Sequence, residues 1–144
     1  MLAVQSAASP AHGALRGRMG KACETDRRLP MTLHLGNITL DCADTLRVAA
    51  FWSAALNRPL DEGASKWFAS IGRGDQAQTG WFFISVPEAK TRKNRMHVDL
   101  RSDGRQAEVA RLIALGAEHY ADHDEHGVRW TTLRDVESNE FCVS

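Results

Sequence analysis

Residues 119–126 hold the densest run of ion-binding side-chain types in the chain: His119, Asp122, His123, Asp124, Glu125 and His126. Composition alone suggests a metal site there. Position argues for a solvated hairpin tip, because Asp124 to Gly127 carries turn chemistry and a flexible tip holds ligand geometry poorly. His97 stands in a different setting. It alternates with Met96, Val98 and Leu100 in a strand pattern and shares a polar face with Asp99, just as Thr39 shares one with Asp41. Imidazole titrates near neutral pH, and an adjacent carboxylate orients the ring and raises its basicity, so a pairing of His97 with Glu140 would suit proton transfer even without a metal. Cys23, Cys42 and Cys142 show no CxxC or CxxxC spacing, and none has a neighbouring base in sequence that would mark a nucleophile. Lys90, Arg92, Lys93 and Arg95 form a short basic run, read as a solvated linker with an anion clamp as the alternative.

These residues need elements to position them. Ile38, Leu40 and Cys42 alternate with Thr39 and Asp41, which predicts a half-buried strand. Asp44 then offers an N-cap to a helix from Thr45 to Leu56, where Val48, Trp52 and Ala55 recur at helical spacing before Asn57, Arg58 and Pro59 end it. The same grammar returns later. Met96, Val98 and Leu100 make a second strand, Ser102 or Asp103 caps a second helix carrying Val109, Leu112 and Ile113, and Gly116 stops it. Each helix precedes three strand candidates: Leu60 to Gly63, Lys66 to Ile71 and Trp81 to Val86, then Glu118 to Ala121, Val128 to Arg134 and Glu140 to Val143. The fold expected is α+β: two βαβββ modules, about residues 35–90 and 94–144, forming a curved mixed sheet around a central cleft. A ferredoxin-like sandwich, with one strand fewer per half, is the alternative. Phe51 and Trp52 read as core, whereas Trp67, Trp81 and Trp130 lie on strands where one step of register exchanges cleft for core.

Composition narrows the function classes. Eighteen basic residues balance eighteen acidic ones over 144 residues, so no global field draws nucleic acid or an anionic membrane surface. No apolar run approaches the ~20 residues of a spanning helix. The odd cysteine count argues against a disulfide framework and for a reducing, cytoplasmic setting. Residues 1–30 are rich in Ala, Ser, Gly and Arg, and are read as a disordered or non-native extension, with Met31 as the natural start of a 31–144 domain.

Four segments resemble the glyoxalase-like domains of the vicinal oxygen chelate superfamily, which also holds glyoxalase I, extradiol dioxygenases and bleomycin-resistance proteins. They are Ile38-Thr39-Leu40-Asp41-Cys42 leading to Phe51-Trp52, the junction Lys93 to Leu100, Ala114-Leu115-Gly116-Ala117, and Asp135-Val136-Glu137-Ser138-Asn139-Glu140-Phe141. The last departs from the family's Asp-Pro-x-Gly-Asn turn by placing Val136 and Ser138 where Pro and Gly usually stand, so Asn139 is expected to take any left-handed conformation.

The resemblance implies ligands on the first and fourth strands of each half, facing the cleft. His97 and Glu140 occupy those positions in the second half and are the candidate catalytic pair and the candidate ligands of one divalent metal ion. Thr39 stands at the matching first-half position, and a neutral hydroxyl is a poor ligand, so the metal site reads as incomplete. A metal-free His97 bonded to Glu140 or another carboxylate is the alternative. Thr39, Asp41, Asp99, Trp67 and Trp130 are the candidate substrate-binding residues. The functions implied are a lyase or isomerase acting on a small molecule, or a resistance-type protein that sequesters a ligand without turning it over. A homodimer is expected by the same analogy.

Overall fold

The computed structural model describes residues 34–144. The expected N-terminal extension lies outside the described residues. The first alternating segment is strand β1 (Asn37–Cys42), with Cys42 buried at the end of its apolar face. Asp44 starts helix α1 (Thr45–Leu56), its carboxylate accepting the Arg47 N–H at 3.1 Å, and Asn57 ends it at φ 51°, a left-handed conformation asparagine tolerates well. Strands β2 (Phe68–Ile71) and β3 (Gly80–Ser85) complete a three-stranded sheet of order β1-β3-β2, with β1 parallel and β2 antiparallel to β3.

The second half supplies β4 (Val98–Leu100), α2 (Arg105–Ala114), β5 (Glu118–Glu125), β6 (Val128–Arg134) and β7 (Glu140–Val143). They form a four-stranded sheet of order β4-β7-β6-β5. The order β1-β3-β2 therefore repeats β4-β7-β6, and the two halves are variants of one βαβββ module in an α+β fold.

The missing counterpart of β5 is the Leu60 to Gly63 segment, which forms no ladder. Asp61 accounts for this. Its N–H donates to the Ser70 carbonyl at 2.8 Å, but its carboxylate accepts from the Ser70 hydroxyl at 2.7 Å, the Gly72 N–H at 3.1 Å and the Arg73 N–H at 2.8 Å. The segment is held at the end of β2 through Asp61, by its N–H and its carboxylate, while Pro59 lacks a donor and Gly63 sits at φ 86°.

Other differences are local. Residues 122–125, which lie beyond the strand expected from Glu118 to Ala121 and reach into the turn expected from Asp124 to Gly127, continue β5, because His126 and Gly127 at φ 52° and 80° make a two-residue turn whose twist lets pairing run to Glu125 and Val128. Met96 lies before β4 and is 71% exposed, not part of the helix-facing apolar set. Gly104 stands at the start of α2, and the Ser102 hydroxyl accepts its N–H at 3.0 Å. In the turn before β7 the left-handed residue is Ser138, at φ 66°, in place of Asn139, whose side chain is spent on Asp135.

One core joins the halves. Trp52 stacks on Trp81 with centroids 4.5 Å apart and meets Phe141 of β7 at 5.1 Å. Its indole N–H donates to Asp135 at 3.0 Å. The first turn of α1 has no acidic residue and its last turn no basic one. The second half provides both: the Glu137 carboxylate accepts the N–H groups of Ala43 and Asp44, and the Arg111 guanidinium donates to the carbonyls of Ala54 at 3.1 Å and Ala55 at 2.8 Å. Among the described residues no helix is long and apolar enough to cross a membrane.

Candidate functional site

Alternation along the second sheet sends Leu133, Phe141 and Val143 into the core and turns the intervening residues to the opposite face. There Trp130, Thr132, Glu140 and Cys142 line a cavity of about 460 Å³ together with His97, Asp99 and His123, with Lys93 and Arg101 also in its lining. That volume suits a small organic ligand.

The register brings donors together. Asp99 of β4 pairs with Cys142 of β7, and His97 lies two residues before Asp99. His97 Nδ1 is 3.0 Å from Asp99 Oδ1 and 3.8 Å from Cys142 Sγ. Thr132 Oγ1 lies 3.6 Å from the same sulfur and 3.2 Å from His123 Nε2. The His123 ring stacks on Trp130 at 4.6 Å, nearly parallel at 11°. The two rings thus lie face to face in the cavity wall.

Glu140 is only 6% exposed and is held from a different side. Its carboxylate accepts the Asn94 N–H at 3.0 Å and meets Lys90 Nζ at 3.1 Å and 3.3 Å. Burial pushes this carboxyl upward, but the Asn94 N–H and the Lys90 ammonium outweigh it and hold the group below the usual 4.5. Both His97 and Glu140 thus line one cavity, each with its own partners. Burial raises the Cys142 thiol, opposed by the Thr132 hydroxyl. Cys42, in the core, is pushed up to about 12 by burial and then by Glu137 and Asp135, which makes it an inert thiol.

The remaining candidates are dispersed. Thr39 and Asp41 line a separate depression of about 870 Å³ whose wall includes Lys90, Asn94 and Met96. The Glu140–Lys90–Asn94 contact is therefore the partition between the two hollows. Trp130 faces the cavity, whereas Trp67 is 65% exposed beneath the Lys66 ammonium, 4.8 Å from its ring centroid. Trp81 is core, as are Phe51 and Trp52.

Sequence reading overlooked His123, Thr132 and Lys93 as cavity residues. The signal for His123 was present: with a two-residue turn at His126-Gly127, His123 falls directly opposite Trp130. The former tip cluster disperses along β5, with His119 meeting Asp122 at 3.0 Å and Asp122 accepting the Thr131 hydroxyl at 2.6 Å.

The glyoxalase-like domain family model matches residues 37–144, from the first residue of β1 to the end of the chain. The chain belongs to this family. Solved structures of the same fold include a glyoxalase/bleomycin resistance protein/dioxygenase family enzyme from Burkholderia phytofirmans PsJN, with a TM-score of 0.64 and 17% identity over 77% of this chain and 97% of that one. Another is a mutant of the fosfomycin resistance protein FosX from Listeria monocytogenes, complexed with Mn(II) and 1S,2S-dihydroxypropylphosphonic acid, at TM-score 0.64 and 14% identity over 78% of this chain and 89% of that one. TioX from Micromonospora sp. ML1 is similar at TM-score 0.54 and 16% identity, over 76% and 96%. No curated protein matches the sequence. Glyoxalase-like folds thus occur among both enzymes and resistance proteins.

That FosX structure holds a divalent ion, and this chain presents two groups of donors that differ in their freedom to take one. At Glu140 a cation already sits on the carboxylate, in the form of Lys90. At the His97 side, one ligand atom each from His97, Asp99 and Cys142 all lie within 4.8 Å of one another, a spacing an ion can bridge.

Proposed function

We propose that this glyoxalase-like chain is a lyase- or isomerase-type enzyme that moves a proton on a small oxygenated compound held in the second-sheet cavity. The single observation that carries the reading is the His97–Asp99 pair on the cavity wall, 3.0 Å apart. With Nδ1 held by Asp99, Nε2 is the nitrogen left for a ligand, and the carboxylate stabilises the imidazolium formed when the ring accepts a proton. Trp130 and His123 give a planar ligand a surface to stack on. Glu140 fixes Lys90 and the Asn94 backbone at the edge of the site, placing a positive charge beside the buried carboxylate. A divalent ion bound through His97 and Asp99 would replace this base chemistry, with the ring as ligand, by Lewis-acid polarisation of a ligand carbonyl.

The partner we propose besides the small molecule is a second copy of this chain. Thr39 and Asp41 lie on the face of the first sheet that also carries Phe68, Phe82 and Ile84, uncovered by either helix. A homodimer that lays this face over the partner's cavity would bring Thr39 and Asp41 to the ligand. The free thiols of Cys42 and Cys142 support a cytoplasmic setting.

Proton transfer is read directly by deuterium uptake. Small hydroxyketones and ketoacids incubated with the protein in D2O should exchange the hydrogen on the carbon next to the carbonyl, followed by proton NMR. Exchange should fall by about 10²–10⁴-fold in His97→Ala. A second reading, ligand sequestration, draws on the Glu140 carboxylate being fully engaged by Lys90 and Asn94. Compounds that stabilise the protein thermally yet never exchange would establish it over catalysis.

A further inference from the structure

We propose that His97, Asp99 and Cys142 form a zinc site in which Cys142 supplies a thiolate and Glu140 takes no part. Strand geometry builds the donor set. Asp99 and Cys142 are register partners across the parallel β4–β7 ladder, and His97, just before β4, brings its Nδ1 to 3.0 Å from the Asp99 carboxylate. The three ligand atoms lie within 4.8 Å of one another. In a tetrahedral zinc site, bond lengths of ~2.0–2.1 Å to nitrogen, ~2.0–2.2 Å to oxygen and ~2.3 Å to sulfur imply edges of ~3.4 Å for N···O and ~3.6 Å for N···S. The structure has 3.0 Å and 3.8 Å for those edges, and the remaining O···S edge, within 4.8 Å against ~3.6 Å at a tetrahedral zinc, would close by rotation of the exposed Asp99 side chain.

Donor chemistry selects the ion. Imidazole nitrogen, carboxylate oxygen and thiolate sulfur suit zinc and disfavour the all-oxygen preferences of magnesium, calcium and manganese. The Thr132 hydroxyl, 3.6 Å from the sulfur, can donate to the thiolate and so orient it. Glu140 is excluded by its own partners. Removing Lys90 from it would leave an ammonium unpaired beside a buried carboxylate, and the carboxylate already accepts the Asn94 N–H. Three protein ligands leave a fourth position open toward the cavity, the arrangement found in sites that bind a ligand at the metal.

The site's role in chemistry rests on the cavity being the active site, but its existence does not, and the experiment separates the two. The full chain, stripped with chelator, is titrated with cobalt(II) as a spectroscopic stand-in, and zinc is then added as competitor. The expected result is a tetrahedral visible spectrum with a near-ultraviolet thiolate-to-cobalt charge-transfer band, both displaced by zinc. Cys142→Ser and Cys142→Ala should each abolish the band, and Asp99→Asn should weaken cobalt binding by more than about tenfold. Glu140→Gln should leave the band in place, with circular dichroism confirming that every variant is folded. Absence of cobalt binding, a band that survives both Cys142 variants, or binding without a band that disappears in Glu140→Gln would each overturn the proposal. A correct cobalt spectrum alongside failed deuterium exchange would instead overturn the catalytic reading and leave the zinc site standing.

Discussion

His97 and Glu140 line the same cavity but bear very different loads. The His97 side chain is 41% exposed and bonded to an exposed Asp99, whereas the Glu140 side chain is 5% exposed and bonded to Lys90 and Asn94. Removing the first should cost little stability, and removing the second should leave an ammonium and a backbone N–H without their acceptor. His97→Ala is therefore expected within about 0.5 kcal/mol of wild type. Glu140→Ala should lose about 1–3 kcal/mol, toward the lower end because Lys90 retains some solvent. Urea denaturation monitored by tryptophan fluorescence distinguishes them. The pH dependence has a definite sign. A carboxyl whose folded pKa lies below its unfolded value stabilises the fold above the unfolded value, and that contribution disappears as pH falls through the folded one. Wild type should lose stability relative to Glu140→Gln as pH drops below about 4.5, the gap closing with acid. A gap that widens in acid would contradict the assigned direction.

At the scale of elements, α1 is stabilised largely from outside itself. Glu137 closes its N-terminus, Arg111 closes its C-terminus, and Asp135 holds the Trp52 indole. Asp135 is 4% exposed and also accepts the N–H groups of Glu137 and Asn139, both at 2.9 Å, so it organises the turn that delivers Glu140 to the cavity. Asp135→Ala should cost at least about 2–3 kcal/mol, since several buried donors lose one acceptor together. Glu137→Gln keeps an acceptor but removes the charge favoured at a helix N-terminus, and should cost about 0.3–1 kcal/mol. Thermal melts in parallel would test the ranking. An Asp135→Ala variant no less stable than Glu137→Gln would show that the turn forms without its carboxylate.

The molecule as a whole carries an apolar face suited to the proposed association. The first sheet leaves Ile84 37% exposed next to an edge-to-face Phe68–Phe82 pair, and Trp67, just before β2, is 65% exposed. An apolar face of this kind is what the proposed homodimer would cover. Light scattering of wild type should give twice the chain mass, and Ile84→Lys combined with Trp67→Glu should raise the dimer dissociation constant by more than about tenfold. A wild type that remains monomeric at high concentration would contradict the dimer and with it the delivery of Thr39 and Asp41 to the cavity.

Much of this architecture was legible without coordinates, because period and punctuation are local properties. The alternation in Ile38 to Cys42, the cap at Asp44, the helix to Leu56 and the strands Val128 to Arg134 and Glu140 to Val143 follow from side-chain spacing and turn chemistry alone. The closeness of His97 and Asp99, two residues apart in sequence, was legible too, although β4 begins only at Val98. Turn length was not legible: reading Asp124 to Gly127 as the tip hid His123, since one pair of positive-φ residues more or less of ladder decides which side chains oppose each other. Nor was the fate of Leu60 to Gly63, where a strand was displaced by hydrogen bonds that Asp61 makes to residues about ten positions away. The site depended most on tertiary structure. Cys142 comes beside Asp99 only because β4 and β7, far apart in sequence, pair in parallel, and Glu140 meets Lys90 only because the linker folds back over the end of β7. Local spacing determines which face a residue occupies; what it meets there is set by the strand across the ladder.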